Sequence, residues 1–266
     1  MPGAHRRRLS VLSGHCCCNA PAASSAAASL AKGGPELQFY IFGQPVSMSP
    51  SPVIHTAGFR ANGFAHTYTT CDTDSVAAVV TQIRDPGCGG GSVTIPHKET
   101  LIPLLDTLSD AARKIGAVNT VTKKASGELH GDNTDWLGIK RGLEGKRVGV
   151  SGAEASVGLV VGAGGTARAA CHALQQMGVE RVLILNPRTP SRAVAMAAGF
   201  AEPAGRVNGV AEGQLAAAVE AAGRLDFVVN TLPGPAGYIL PESVVPFVKR
   251  WRPATLVRTQ PISRIC

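Results

Sequence analysis

Three groups of residues have the types and spacing to do chemistry. The first lies in Leu159 to Gly178, LVVGAGGTARAACHALQQMG, where an apolar run meets a glycine cluster and then a helical pattern. Gly162, Gly164 and Ala167 fit G-x-G-x-x-[GA]. The first glycine makes a tight turn, the second lets backbone approach a pyrophosphate, the small third residue allows close helix–strand packing, and the helix N-terminus attracts phosphate. The alternative is an ordinary glycine turn, in a chain with 31 glycines. The second group follows the next apolar run, Val182 to Leu185, roughly twenty residues on, where a dinucleotide fold places the group that reads the adenosine ribose. An acid there suits the 2′-hydroxyl of NAD, but this chain has Asn186, Pro187, Arg188, Thr189 and then Arg192. Guanidinium groups suit a 2′-phosphate, so the local chemistry points to NADP. The third is Lys98, after Ser92-Val93-Thr94-Ile95 and Pro96-His97. A lysine just past the end of a strand stands where open α/β sheets form ligand crevices, or is simply a solvated surface lysine.

The elements that must position these groups alternate between strand and helix. Leu37 to Phe42 reads as a strand, Gly43 to Pro52 as a loop, and Pro52 opens a helix to about Gly63. The hydroxyls of Ser47, Ser49 and Ser51 either meet a polyhydroxylated ligand or belong to a plain Ser/Pro loop. Ala65 to Thr70 is the next strand, and Thr73 to Arg84 an amphipathic helix with Asp74 in its first turn. Gly89 to Gly91 precede the short strand Ser92 to Ile95. A helix over Leu101 to Ile115, a strand over Ala117 to Val121, a turn at Ser126-Gly127 and a return over Glu128 to His130 follow. The polar run Gly131-Asp132-Asn133-Thr134-Asp135 suits the cap of the helix Trp136 to Leu143.

Beyond a connecting segment at 144–158 comes the glycine motif. In its helix Ala170, Leu174 and Met177 share a face, and Gly178 stands at the C-terminal cap. Alanine-rich helices follow Arg192 and span Gln214 to Ala222, and the strand Asp226 to Asn230 runs into Thr231, placed to meet the nicotinamide end of a dinucleotide. A last helix from Pro241 to about Arg250 and a strand over Thr255 to Val257 complete the pattern. The expected fold is α/β: an N-terminal α/β unit over 36–143 and a C-terminal Rossmann-type unit over 159–266.

Composition narrows the class. With 266 residues, 44% hydrophobic and 17% charged, the chain can bury one large domain or two ordinary ones. Four of the cations behind its net charge of +8, Arg6, Arg7, Arg8 and Lys32, precede the first acid, Glu36. The rest is too modestly basic to argue for nucleic acid, and an anionic substrate with a phosphate-rich cofactor accounts for it. Residues 1–35 read as disordered or, being Arg- and Ser-rich and acid-free, as an organellar targeting segment. The cytoplasm is the expected compartment, an organelle the alternative. Of seven cysteines, Cys16-Cys17-Cys18 form a run and Cys71, Cys88, Cys171 and Cys266 are scattered, without a C-x-x-C pair. They read as reduced thiols, with no metal site. No apolar stretch is long enough to span a bilayer.

The serine loop, SVTIPHK, GAVNT, GDNTDW and GAGGTARAA, in this order and spacing, resemble the shikimate dehydrogenase family over roughly residues 37 to 250. IGAVNTV and GDNTDWLGI look closest to the shikimate dehydrogenase domain that ends the fungal pentafunctional AROM polypeptide. The resemblance implies a substrate domain followed by an NADP domain, the reduction of 3-dehydroshikimate to shikimate in chorismate and aromatic amino acid biosynthesis, and no metal. It implies that Lys98 and Asp135 form the catalytic pair. Ser49 and Ser51 would bind the shikimate carboxylate, Thr94, Asn119 and Asp135 the ring hydroxyls, with Ser92 where many relatives carry Asn. Gly162, Gly164, Gly165, Arg188, Thr189, Arg192, Asn230 and Thr231 would bind NADP, with Pro187 inserted into the Asn-Arg-Thr of relatives. Other domains of the shikimate pathway are candidate partners. Quinate dehydrogenase and a non-catalytic quinate- or shikimate-sensing regulator are the alternatives. Relatives continue past the last strand with a Tyr-x-Pro-x-x-Thr-x-Leu segment and a helix carrying a substrate-facing Gln, whereas here the sequence runs from Arg258 to Cys266 and Gln260 matches no such motif. The expectation is a Rossmann unit lacking its C-terminal helices, and a chain whose activity suffers for it.

Overall fold

The structure, a computed structural model, describes residues 34–144, 156–200, 206–232 and 239–248, with the backbone of 257–258. The expectations for residues 1–33, for most of the connecting segment, for 255–256 and for the tail after Arg258 lie outside the described residues.

Two sheets carry the site. The first contains β1 (Gln38–Gly43), β2 (Thr67–Asp72), β3 (Cys88–Val93), β4 (Thr107–Leu108), β5 (Thr120–Lys123) and β6 (Leu129–Asp132), in the order β2-β1-β3-β5-β6-β4. β1 pairs in parallel with β2 and β3, because α1 (Ser51–Ala61) and α2 (Val76–Arg84) supply the crossovers. β5 and β6 add an antiparallel hairpin through β3. The second sheet contains β7 (Val157–Val161), β8 (Arg181–Leu185), β9 (Val207–Val210), β10 (Phe227–Asn230) and β11 (Val257–Arg258), all parallel, in the order β11-β10-β7-β8-β9. The helices α6 (Gly165–Gln176), α7 (Pro190–Ala198) and α8 (Glu212–Ala222) make its crossovers. Every residue of β7, VGLVV, is buried, as a strand covered on both faces requires. The order reverses at β7, which has β8 on one side and β10 on the other, so a crevice opens past the C-terminal ends of β7 and β10.

Among the described residues an apolar cluster joins the halves. Ile139 and Leu143 of α5 (Asp135–Glu144) pack with Ala170 and Leu174 of α6, and the Trp136 and His172 rings meet edge to face with centroids 5.0 Å apart. The helix that begins at Asp135 is therefore fixed against the helix that leaves the glycine turn.

Several elements differ from expectation for identifiable reasons. The strand expected over Ser92 to Ile95 instead spans Cys88 to Val93 and takes in Gly89 to Gly91, where a Cβ at Gly89 would strike the Phe39 ring and one at Gly91 the Tyr40 carbonyl. The short helix α3 (His97–Thr100) precedes the expected helix over 101–115, which is itself broken into a 3-10 turn at Ile102–Leu104 containing Pro103, the strand β4, and α4 (Asp110–Ile115). The Ser109 side chain starts α4 by accepting from the Ala112 N–H. Helix α2 is capped by Ser75, which leaves Asp74 before the cap and not in the first turn. The strand β9 was not expected, since VNGV offers only two apolar residues. The last helix is a 3-10 segment, Glu242–Phe247, with Pro246 inside it. Among the described residues Cys71, Cys88 and Cys171 are free thiols, and no helix is long and apolar enough to cross a membrane.

Candidate active site

The order of elements along the chain brings Lys98 and Asp135 together. After β3 the chain turns at Thr94 to Pro96 and enters α3, whose second residue is Lys98. Its carbonyl accepts from the Val118 N–H at 2.7 Å, which ties α3 to the segment leading into β5. Asp135 opens α5, its N–H donating to Asn133 Oδ1 at 3.1 Å, while Asn133 Nδ2 donates to the Ala117 carbonyl at 2.9 Å. The capping expected of the GDNTDW run is thus performed by Asn133, which leaves the Asp135 carboxylate to face Lys98.

Lys98 Nζ lies 2.6 Å from Asp135 Oδ2, and the other carboxylate oxygen accepts from Asn119 Nδ2 at 2.7 Å. The carboxylate is fully buried and the lysine side chain 11% exposed. Two charges withdrawn this far from water persist only when well hydrogen-bonded, and both oxygens of the acid are engaged. Asn119 is held in turn: its Oδ1 accepts from the Thr134 N–H and the Thr120 hydroxyl, both at 2.9 Å. Lys98 also reaches Thr166 Oγ1, at 3.4 Å, in the first turn of α6. An ammonium so placed, at the edge of a crevice, can give a proton to an oxygen that gains charge and can stabilise that charge.

The crevice is a cavity of about 450 Å³ that runs from Lys98 and Thr94 past the glycine turn to Arg188, Thr189 and Arg192, with Thr231 on its wall. Gly162 has φ +120°, and a Cβ there would collide with the Thr231 hydroxyl, so the turn depends on glycine. A Cβ at Gly164 would meet nothing within 4 Å, so its backbone opens onto the cavity. Gly165 packs on the stem of Lys98, where a Cβ would come within 2.9 Å of Lys98 Cβ. Asn186, at the end of β8, accepts from the Arg188 and Thr189 N–H groups at 3.3 Å each, and Arg192 Nη2 donates to the Ala163 carbonyl at 3.3 Å. Pro187 leaves Arg188 on the cavity wall. Asn230 is buried, its Oδ1 accepting from the Leu232 N–H at 3.1 Å, and it does not line the cavity.

In the first half, the Ser49 hydroxyl donates to Ser51 Oγ at 3.1 Å and the Ser51 N–H to Ser49 Oγ at 3.2 Å. Ser92 is bonded to Tyr68 at 2.8 Å. Sequence reasoning missed four residues here: Thr166, Glu99, Arg168 and Tyr68. Thr166 and Arg168 stand inside the GAGGTARAA motif and Glu99 follows Lys98, so proximity to assigned residues was their only signal; Tyr68 gave none.

A parallel dinucleotide sheet with a glycine turn, joined to an α/β half that presents a buried lysine–aspartate pair, defines a dehydrogenase-type architecture, and comparison with known proteins gives the family. The family model for the shikimate dehydrogenase substrate binding domain matches residues 41–121. The pentafunctional AROM polypeptide of Schizosaccharomyces pombe is 37% identical over 215 residues, covering 80% of this chain and 13% of the relative. The shikimate 5-dehydrogenase of Thermus thermophilus, solved in complex with NADP(H) and shikimate, superposes with a TM-score of 0.61 at 32% identity, covering 78% of this chain and 74% of that one. The quinate dehydrogenase of Corynebacterium glutamicum, in complex with NAD, gives 0.64 at 31%, covering 74% and 71%. The chain belongs to the shikimate dehydrogenase family. It spans 10–13% of the length of the curated AROM relatives it matches.

Proposed function

We propose that the chain is an NADP-dependent shikimate 5-dehydrogenase, an oxidoreductase that interconverts 3-dehydroshikimate and shikimate in chorismate biosynthesis, with residues 36–143 as the substrate domain and 159–266 as the NADP domain. The observation that carries this reading is the buried Lys98–Asp135 pair on the rim of a cavity that also contains the glycine turn and two arginines. The cavity fits the cofactor: Gly162 and Gly164 leave room for phosphate against backbone, and Arg188 and Arg192 offer charge for a 2′-phosphate where no acid competes. When bound, NADP(H) supplies or removes the hydride.

The protein's own groups manage the proton and the substrate. Lys98 protonates the ketone oxygen of 3-dehydroshikimate as it becomes an alkoxide, and in the reverse direction takes the hydroxyl proton from shikimate. Asp135 holds the ammonium in place at 2.6 Å and offers an acceptor to a substrate hydroxyl. Asn119 and Thr94 supply further contacts to ring hydroxyls, and Ser49, Ser51 and Ser92 the polar groups for the carboxylate side. The AROM relatives support other domains of the same pathway as partners, and the cytoplasm is the compartment consistent with that pathway reading.

A second reading, oxidation of quinate, draws on the similarity to the Corynebacterium quinate dehydrogenase. The two arginines favour NADP and set it second. Reduction of NADP or NAD by the purified chain with shikimate or quinate separates the two: the proposal predicts the highest kcat/KM for shikimate with NADP, and quinate with NAD ranking first would contradict it.

A further inference from the structure

The first turn of α6 does more than follow the glycine turn: its residues also reach the short helix α3. Gly165 packs on the stem of Lys98, where a Cβ would stand 2.9 Å from Lys98 Cβ and 3.1 Å from its Cδ. Thr166 Oγ1 accepts from Lys98 Nζ at 3.4 Å. Arg168 Nε donates to Glu99 Oε2 at 3.1 Å. Residues of one helical turn thus meet two consecutive residues of α3, and of these contacts the one from Thr166 touches the ammonium itself. Thr166 and Lys98 both line the cavity.

Thr166 can make this contact because of its place in the helix. Deeper in a helix a threonine hydroxyl tends to bond the carbonyl four residues back. Here α6 begins at Gly165, so four residues back from Thr166 is Gly162, in the turn, at φ +120°. The hydroxyl is left to Lys98, its hydrogen-bond partner among the described residues. A lysine ammonium has three N–H donors. Asp135 Oδ2 takes one at 2.6 Å, and Thr166 takes a second from the other half of the molecule. One contact alone lets the nitrogen swing about the Asp135 oxygen. Two from separate elements fix where it stands and, with the bond to Cε, the line of the third N–H, which is left for the cavity.

We propose that Thr166 is a positioning residue for the proton transfer: its hydroxyl, opposite Asp135, holds the Lys98 ammonium so that the remaining proton faces the substrate oxygen. This rests on the shikimate reading above. In reduction the ketone carbon receives the hydride that NADPH carries, and the carbonyl oxygen takes the third proton of Lys98. An O–H bond forms as an N–H bond breaks, and the amine keeps its lone pair toward the new hydroxyl while Asp135 and Thr166 hold its other two protons. Oxidation retraces the same path. Thr166→Val keeps the shape of the side chain and removes the acceptor, whereas Thr166→Ser keeps the hydroxyl. Turnover should depend on that oxygen, while the Thr166 backbone N–H, unchanged in both variants, still faces the cofactor end of the helix.

The test is steady-state kinetics of shikimate oxidation with NADP for the native chain, Thr166→Val and Thr166→Ser, with NADP affinity from equilibrium titration and thermal midpoints alongside. The expected result is a kcat lowered about three- to tenfold in Thr166→Val, the worth of one hydrogen bond, with the KM for shikimate and the Kd for NADP within about twofold. Thr166→Ser should stay within about twofold of the native chain in all three quantities. An unchanged kcat in Thr166→Val, in a native chain that oxidises shikimate, overturns this inference alone. So does a loss that falls on NADP affinity, alone or equally with kcat, which would give the hydroxyl to the cofactor phosphates. Equal losses in the two variants, or a fall in kcat that follows a lowered midpoint, would make the side chain a packing group and overturn it as well. A native chain that neither binds nor oxidises shikimate removes the functional reading and this inference with it.

Discussion

Arg168 Nε lies 3.1 Å from Glu99 Oε2, so the residue next to Lys98 is bonded to the helix that leaves the glycine turn. The pair links α3, which follows the first sheet's β3, to α6 of the second sheet, and Glu99 lines the cavity beside Lys98. Its side chains are 24% and 36% exposed, and a partly solvated ion pair is worth no more than about 1 kcal/mol. Glu99→Gln should therefore lower unfolding stability by less than about 1 kcal/mol, and the difference should shrink in high salt. Denaturant unfolding at low and high ionic strength measures both. A larger, salt-insensitive loss would show that Glu99 is held by something other than this charge.

On the proposed reading, cofactor choice turns on Arg188. It lines the cavity beside Thr189 and Arg192, its backbone fixed by Asn186. Losing one charged hydrogen-bond partner of a 2′-phosphate costs roughly 1.5 to 3 kcal/mol, so Arg188→Ala should weaken NADP about tenfold to a hundredfold and leave NAD nearly unchanged. Equilibrium titration with each cofactor is the measurement. Equal losses for both would mean that the arginine serves the fold or the pyrophosphate and not the 2′-phosphate.

The glycine turn, the arginines, Lys98 and the strand–helix alternation were legible because each is local: a motif of a few residues, or an apolar run between turn signals. What could not be read was set by contacts between distant segments. Gly89 to Gly91 carry no apolar or β-branched side chain that marks a strand, and their place in β3 comes from pairing with β1 and β5 where the Phe39 ring and the Tyr40 carbonyl leave no room for a Cβ at Gly89 and Gly91. The run Leu101 to Ile115 has helical periodicity, but Pro103 and the Ser109 cap divide it and the edge of β6 recruits Thr107 and Leu108 into a strand. Tyr68 meets Ser92 across a whole strand, a relationship without any signature in sequence spacing. The Lys98–Asp135 pair came from family resemblance; spacing alone gave only a lysine past a strand and a set of capping residues.

Acid should destabilise the fold through two histidines. Burial lowers the proton affinity of His55, and of His172, where Lys114 adds repulsion. The folded state thus binds these protons less readily than the unfolded chain. Their contribution is fully present above the unfolded histidine value, about 6.5, and is lost as pH falls through it toward the lower folded values. The thermal midpoint should fall between about pH 7.5 and pH 5.5, and His172→Gln should make that fall shallower. An identical slope in the variant would assign the acid sensitivity to other groups.

On the proposed reading, Lys98, held by Asp135, moves the proton of a shikimate dehydrogenase reaction. Formation of reduced nicotinamide from shikimate and NADP, compared between the native chain and Lys98→Ala, tests it most directly. The expected result is turnover by the native chain and a kcat about 10² to 10⁴ lower in the variant, with a smaller change in the KM for shikimate. Equal turnover in the two proteins would contradict it.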